Sequence, residues 1–324
     1  MMQGYSPKNV SAKAAYRLIK RYIRTTPIEE CRTLSEVTNS QVFLKMEHWQ
    51  KTGSFKVRGA LNRLLTLSPE QKEHGVITAS AGNHGLGVAF ASEICGVKAR
   101  IVLPVNAAPT KVRMLNQFGA EIIQAGRDYD EAEDVAHQIE RDCHLTFVSG
   151  FDDPEIISGQ GTIGLEILNA VPDPDIILVP IGGGGLISGI AITVKERKPN
   201  VKIIGVQSEA SPAMHRAWQL NMVVETPIDE TIADGLAGRL VSPLILETVK
   251  KYVDDIIVVS EKDIIQTILF LLQQNHTLVE GAAAVGVTAL SSGKIDIEGK
   301  TCVAVLTGRN IDVEKVKNIF VNKD

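Results

Sequence analysis

Short runs of β-branched residues alternate with longer helical stretches along almost the whole chain, and this alternation restricts the fold more than any other feature. It predicts strands over 41–46, 76–79, 99–103, 121–124, 176–179, 201–206, 255–258 and 301–306. Helical patterns follow most of them, over 56–65, 84–94, 110–118, 129–143, 155–169, 186–196, 264–274 and 313–321. Strands alternating with helices imply parallel sheets covered on both faces. A closed βα barrel competes with this reading. However, the units are unevenly spaced, long loops interrupt them, and two glycine-rich turns lie far apart. The expected fold is therefore α/β, with two open, mostly parallel twisted sheets flanked by helices and a cleft between a large and a smaller domain. Residues 220–241 read as one long irregular connection, a length at which loops are often functional.

At 324 residues the chain can bury a sizeable core. Its net charge of −4 provides no global basic field for nucleic acid or anionic lipid. No apolar run reaches the ~18–20 residues of a membrane span. Cys31, Cys95, Cys143 and Cys302 form no C-x-x-C pair, and no histidine pair has zinc spacing. These features predict no nucleic-acid partner, no membrane association, no metal, and a cytoplasmic chain with reduced cysteines. The N-terminal run Lys8, Lys13, Arg17, Lys20, Arg21 and Arg24 contains no acid and superficially suits a transit peptide. Yet Val10, Ala14, Leu18, Ile19 and Ile23 fall near a helical stripe, which favours a folded surface helix ending before Thr25-Thr26-Pro27.

Four motifs carry chemistry. In Lys51-Thr52-Gly53-Ser54-Phe55-Lys56, Ser54 is a candidate cap for a helix starting at Phe55. Lys56 then sits at the positive end of the helix dipole, which disfavours its ammonium form and suits it to Schiff-base and base chemistry. A lone lysine is ordinarily a solvated surface residue, so this motif alone decides little. Ile181-Gly182-Gly183-Gly184-Gly185-Leu186 follows a strand and opens a helix. That arrangement offers free N–H groups to an anion, the alternative being a tight structural turn. It lacks the third glycine and ribose acid of a dinucleotide fingerprint and the Lys-Ser/Thr of a nucleotide P-loop, so it suits a monophosphate. Ser80-Ala81-Gly82-Asn83-His84 lies at another helix start, where N–H groups can hold a carboxylate and Asn83 can donate to a phenolate oxygen; an ordinary helix cap is the alternative. In Leu306-Thr307-Gly308-Arg309-Asn310, Thr307 offers a hydroxyl where a ring nitrogen can rest, unless this is a plain strand-to-helix turn.

Together, in this order, the motifs resemble the fold-type II pyridoxal-phosphate family that includes threonine dehydratases and serine racemases. The resemblance runs from Ala14, Arg17 and Thr26-Pro27 to Asn310, with Ile232-Ala233-Asp234-Gly235 and Glu280-Gly281 fitting the threonine dehydratase branch. It implies pyridoxal 5'-phosphate as cofactor, Lys56 as the catalytic Schiff-base lysine and Phe55 packed on the pyridine ring. It further implies Asn83 on the cofactor 3-oxygen and the amides of Gly182, Gly183, Gly184, Gly185 and Leu186 on the phosphate. Gly235 and Glu280 border the ring, and Thr307 meets its nitrogen. The carboxylate of a small amino-acid substrate falls to Ser80, Ala81, Gly82, Asn83 and His84. The family organisation implies a large domain from 1–74 plus 151–324, a small mobile domain from 75–150, and a homodimer.

The activity this implies is dehydration and deamination of L-threonine, and of L-serine, to 2-oxobutanoate or pyruvate and ammonia. Lys56 removes the α-proton, and the β-hydroxyl leaves with a proton from the cofactor phosphate. Alternatives are another hydroxy amino acid such as 3-hydroxyaspartate, serine racemisation, β-replacement, or an inactive cofactor-binding protein. Ala81 stands where the family's racemases place a serine that carries the second proton, which disfavours racemisation. Gln207, Ser211 and Ala213 stand in the segment where some relatives bind a divalent cation, with Glu209 off position; too few oxygens remain for magnesium, while a monovalent ion stays open. The chain ends soon after Asn310, which predicts no C-terminal regulatory domain.

Overall fold

The computed structural model describes residues 9–107 and 109–321; Lys8, at the head of the basic run, lies outside them. The strands in chain order are β1 (Ile28–Glu30), β2 (Gln41–Lys45), β3 (Val76–Ala79), β4 (Ala99–Leu103), β5 (Glu121–Gln124), β6 (Thr146–Phe147), β7 (Ile176–Pro180), β8 (Lys202–Ser208), β9 (Asp255–Val259) and β10 (Thr301–Val305). They form two open sheets, one ordered β1-β2-β10-β7-β8-β9 and the other β5-β4-β3-β6. Every pairing is parallel except β1 with β2. The closed barrel is thus excluded.

Burial explains why the central strands read as continuous apolar runs. All five residues of β7 are buried, because helices cover both faces of the larger sheet. One face packs against Glu261–Asn275 and Gly281–Ser291 through residues such as Ile268, Leu271, Val285 and Val287. The other packs against Pro154–Ala170, Gly185–Lys195 and Pro243–Tyr252 through Ile163, Ile167, Ile190 and Ile245. The smaller sheet takes its strands from 76–147. Its larger core cluster also includes Ile19, Val57, Leu61 and Leu64, so the Lys56–Leu65 helix and the N-terminal helix seal this sheet against the rest of the chain.

The N-terminal helix runs over Ala12–Ile19, capped by Ser11, and buries Ala12, Ala15 and Ile19. Ala14 and Leu18, expected on the apolar stripe, are exposed. Two short strands and the helices Arg32–Thr38, Pro69–His74, Ala213–Leu220, Pro243–Tyr252 and Gly281–Ser291 add to the expected elements. The 220–241 connection is irregular apart from one 3-10 turn at Asp234–Leu236. The four cysteines are free. Among the described residues no helix is long and apolar enough to cross a membrane.

Candidate active site

Ligand sites in open α/β sheets form beyond the carboxyl ends of the strands, and all four motifs lie there. Neighbouring strands β2, β10 and β7 lead into the Lys56 turn, the Thr307 turn and the glycine run. Strand β3 leads into Ser80, and its neighbour β6 into the segment 148–153.

Lys56 is the first residue of its helix, with Phe55 as the N-cap. The expected Ser54 cap is not made, because a helix that begins at Lys56 gives the cap position to Phe55. The Ser54 hydroxyl is buried without a hydrogen-bond partner, as is that of Thr52, and Ser54 pairs with Gly308 in an antiparallel bridge. The Phe55 N–H donates to the Thr307 carbonyl at 3.1 Å and the Arg309 N–H to that of Gly53 at 3.0 Å, so the two turns are stitched together. Lys56 Nζ donates to the Gly150 carbonyl at 2.7 Å and lies 5.4 Å from the Phe55 ring centroid. Burial pushes the Lys56 amine down to about 8, partly opposed by the Glu280 carboxylate.

Contacts continue from Lys56 in a closed circuit. Phe151, next to Gly150, packs so tightly on Gly183 and Gly185 that a side chain at either would collide with it. Gly184 takes φ +89° to turn the chain into the Gly185–Lys195 helix, a conformation that favours glycine. A methyl group on Gly182 would lie 3.2 Å from the Gly235 carbonyl, and one on Gly235 would lie 3.8 Å from Glu280 Oε1. The Glu280 N–H donates to the Gly308 carbonyl at 3.1 Å. Gly308 returns the path to Ser54 and Lys56. The glycine run therefore presents backbone N–H groups at a helix start, the geometry that holds anions.

The Ser80–His84 turn closes one side. The Asn83 amide donates from Nδ2 to Glu280 Oε1 at 2.8 Å and accepts at Oδ1 from Asn310 Nδ2 at 2.7 Å. Asn310 also donates to the Thr52 carbonyl at 2.9 Å. This chain fixes which way the Asn83 amide faces and leaves its second N–H hydrogen for a ligand. Ser80 Oγ accepts from the Gly82 N–H at 3.2 Å. His84 Nε2 donates to the Val148 carbonyl at 2.9 Å. Burial, then the nearby Lys56, depresses its imidazole to about 3, so His84 is neutral. Thr307 and Leu186 are buried, Ala81 is partly buried and Gly235 is exposed.

Three arrangements escaped the sequence. Residues 148–152 follow a two-residue strand and carry no motif, yet they touch Lys56, His84 and the glycine run. Asn83 is oriented by Glu280 and by Asn310, 197 and 227 residues away. Behind the Lys56 turn lies a buried set of charges. Arg58 bonds both Glu47 oxygens, at 2.8 and 2.7 Å, and both Glu166 oxygens, each at 2.8 Å. Lys45 donates to Glu166 and to the Thr26 carbonyl. Burial alone would raise the Glu47 carboxyl, but Arg58 and Lys45 hold it below its usual value.

In the segment after β8, the Gln207 amide donates to the Ile181 carbonyl at 3.1 Å and accepts from the His215 N–H at 2.8 Å. Among the described residues no group of three His, Cys, Asp or Glu is arranged to hold a metal ion.

The chain is similar to known proteins over most of its length. The chain is 44% identical over 311 residues to an L-threonine ammonia-lyase of Thermotoga maritima, covering 96% of this chain and 77% of that one. It is 40% identical over 306 residues to a catabolic L-threonine dehydratase of Staphylococcus aureus, covering 93% and 88%. Among solved structures, a maize serine racemase superposes with a TM-score of 0.92 at 30% identity, covering 97% of each chain. The processed form of threonine deaminase isoform 2 from Solanum lycopersicum superposes with a TM-score of 0.92 at 31% identity, covering 98% of this chain and 89% of that one. The family described as pyridoxal-phosphate dependent enzyme matches residues 19–308, and the chain belongs to it.

Proposed function

We propose that the chain is a threonine ammonia-lyase, converting L-threonine, and L-serine more broadly, to the 2-oxo acid and ammonia by α,β-elimination. The observation that carries this reading is the closed circuit joining Lys56, the glycine run, Glu280 and the Thr307 turn, with Asn83 bonded into it. A lysine amine lowered to about 8 beside a helix-start anion cradle fits a phosphorylated aldehyde. So do the partnerless buried hydroxyls of Thr52 and Ser54. When bound, pyridoxal phosphate supplies the electron sink for the α-carbanion.

The chain's own residues do the rest. Lys56 holds the cofactor and, once free, takes the α-proton; its depressed pKa keeps a neutral fraction near neutral pH. With the cofactor bound, the amides of Gly182 to Gly185 and Leu186 would hold its phosphate. Phe55, Gly235 and Glu280 would line the ring, and the second Asn83 amide hydrogen would serve the 3-oxygen. Thr307 would offer the ring nitrogen a neutral hydroxyl, which stabilises ring protonation less than a carboxylate and so would favour elimination. The N–H groups of the Ser80–His84 turn hold the substrate carboxylate. A racemase needs a second proton carrier, and the Ala81 methyl cannot be one. We further assign 75–150 to the smaller, mobile domain, and the chain to a cytoplasmic homodimer.

Oxo-acid release assayed across L-threonine, L-serine, D-serine and both 3-hydroxyaspartates, with chiral analysis of the serine that remains, tests the reading. L-Threonine should give the highest kcat/KM. A hydroxyaspartate preferred to threonine and serine, or D-serine formed faster than pyruvate from L-serine, overturns it.

A further inference from the structure

We propose that Gly150 is a specificity-determining residue, and that the space left by its missing side chain receives the γ-methyl of a β-branched substrate such as threonine. This rests on the reading of Lys56 as the residue that takes the α-proton.

Neither backbone conformation nor packing accounts for glycine at this position. Gly150 is not among the positive-φ glycines. A Cβ built on it would lie 3.6 Å from Lys56 Nζ and 3.7 Å from Cδ2 and Cγ of the His84 imidazole, which is ordinary van der Waals contact. Gly184, by contrast, has a φ of +89°, and a side chain on Gly183 would collide with Phe151. Alanine is therefore admissible at 150 on structural grounds, and the volume its methyl would take lies beside the reacting amine. A substrate whose α-proton is within reach of Nζ brings its β-carbon and the atoms on it into that neighbourhood.

The wall is also held in place. The Val148 carbonyl accepts from Thr78 Oγ1 at 2.9 Å and from His84 Nε2 at 2.9 Å. The Ser149 hydroxyl donates to Asp152 and accepts from the Phe151 N–H at 3.3 Å, and the Gly150 carbonyl holds Lys56. A methyl group introduced there cannot swing aside. One misplaced methyl in a rigid pocket changes discrimination by roughly 10–200-fold.

Gly150→Ala, loaded with cofactor, should lower kcat/KM for L-threonine about tenfold more than for L-serine. Melting temperature and the absorbance of the lysine-bound cofactor should be retained. An unchanged threonine-to-serine ratio in a folded, loaded variant overturns the proposal. Should the variant fail to fold or load, spectral titration of the wild-type holoenzyme with L-alanine and L-2-aminobutanoate decides. These ligands differ only by the γ-methyl and have no leaving group. 2-Aminobutanoate binding at least as well as alanine supports the space, whereas weaker binding refutes it. Because this titration needs no elimination, it gives an answer even if the ammonia-lyase reading fails.

Discussion

The buried charges behind the Lys56 turn depend on one another. Arg58, Lys45 and Glu47 are each 0% exposed and Glu166 is 6% exposed. Two cations face two anions, so the set is neutral as it stands. Arg58→Met removes four charge-assisted bonds to Glu47 and Glu166 and a 3.1 Å bond to Thr162. It leaves two buried carboxylates facing only Lys45. Breaking a buried ion pair from one side costs about 3–5 kcal/mol, because the remaining charge is desolvated without compensation. With a urea slope of ~3 kcal/mol per molar, the unfolding midpoint should fall by roughly 1–1.7 M. Equilibrium urea unfolding of the holoenzyme, followed by far-UV circular dichroism, measures this. Adding Glu47→Gln to Arg58→Met should recover part of the loss, since one orphaned charge is then removed. A drop of less than about 1 kcal/mol for Arg58→Met, in the range of exposed pairs, would refute the account of a dry, mutually dependent set.

Other consequences concern the site itself. Cofactor loading onto apoenzyme should accelerate with pH and level off above about 8, because the Lys56 ammonium loses its proton there; with an unperturbed amine, stopped-flow absorbance would show a rate still climbing toward about pH 10. Asn310→Asp should turn the Asn83 amide around, since Asn83 Oδ1 now accepts from Asn310 Nδ2. Cofactor affinity should fall on the order of tenfold, the worth of a hydrogen bond at a charged group, as read by fluorescence titration. Gly183→Ala must displace the Phe151 ring, and the phosphate-dependent part of cofactor affinity should be lost, measured as the ratio of pyridoxal phosphate to pyridoxal binding. Dialysis against a chelator should leave kcat/KM unchanged, because Gln207 and Ala213 supply too few oxygens for a divalent cation in the segment after β8.

Much of this architecture is legible before folding is considered. The β-branched runs and the glycine run declare themselves because their signals are local: five buried residues in β7 need no partner to be recognised, and a glycine at φ +89° announces its own turn. The helix Gly281–Ser291 left no comparable trace. It is buried on nearly every side and rich in alanine and glycine, so it shows no amphipathic period. Strand β6 is two residues long, too short for any alternation. The Ser54 cap is not made because the helix begins one residue later than that cap requires, with Phe55 at the N-cap and the turn before it tied to the Thr307 turn. Partnerships such as Arg58 with Glu166, 108 residues apart, and Asn83 with Asn310 arise only once the sheets bring the strand ends together.

The proposed function turns on Lys56 as the residue that carries the cofactor. Reducing the holoenzyme with borohydride and mapping the modified peptide by mass spectrometry tests it most directly. A pyridoxyl group on Lys56, absent from Lys56→Ala, is the expected result. A pyridoxyl group on Lys45, Lys51 or any other lysine would contradict the account.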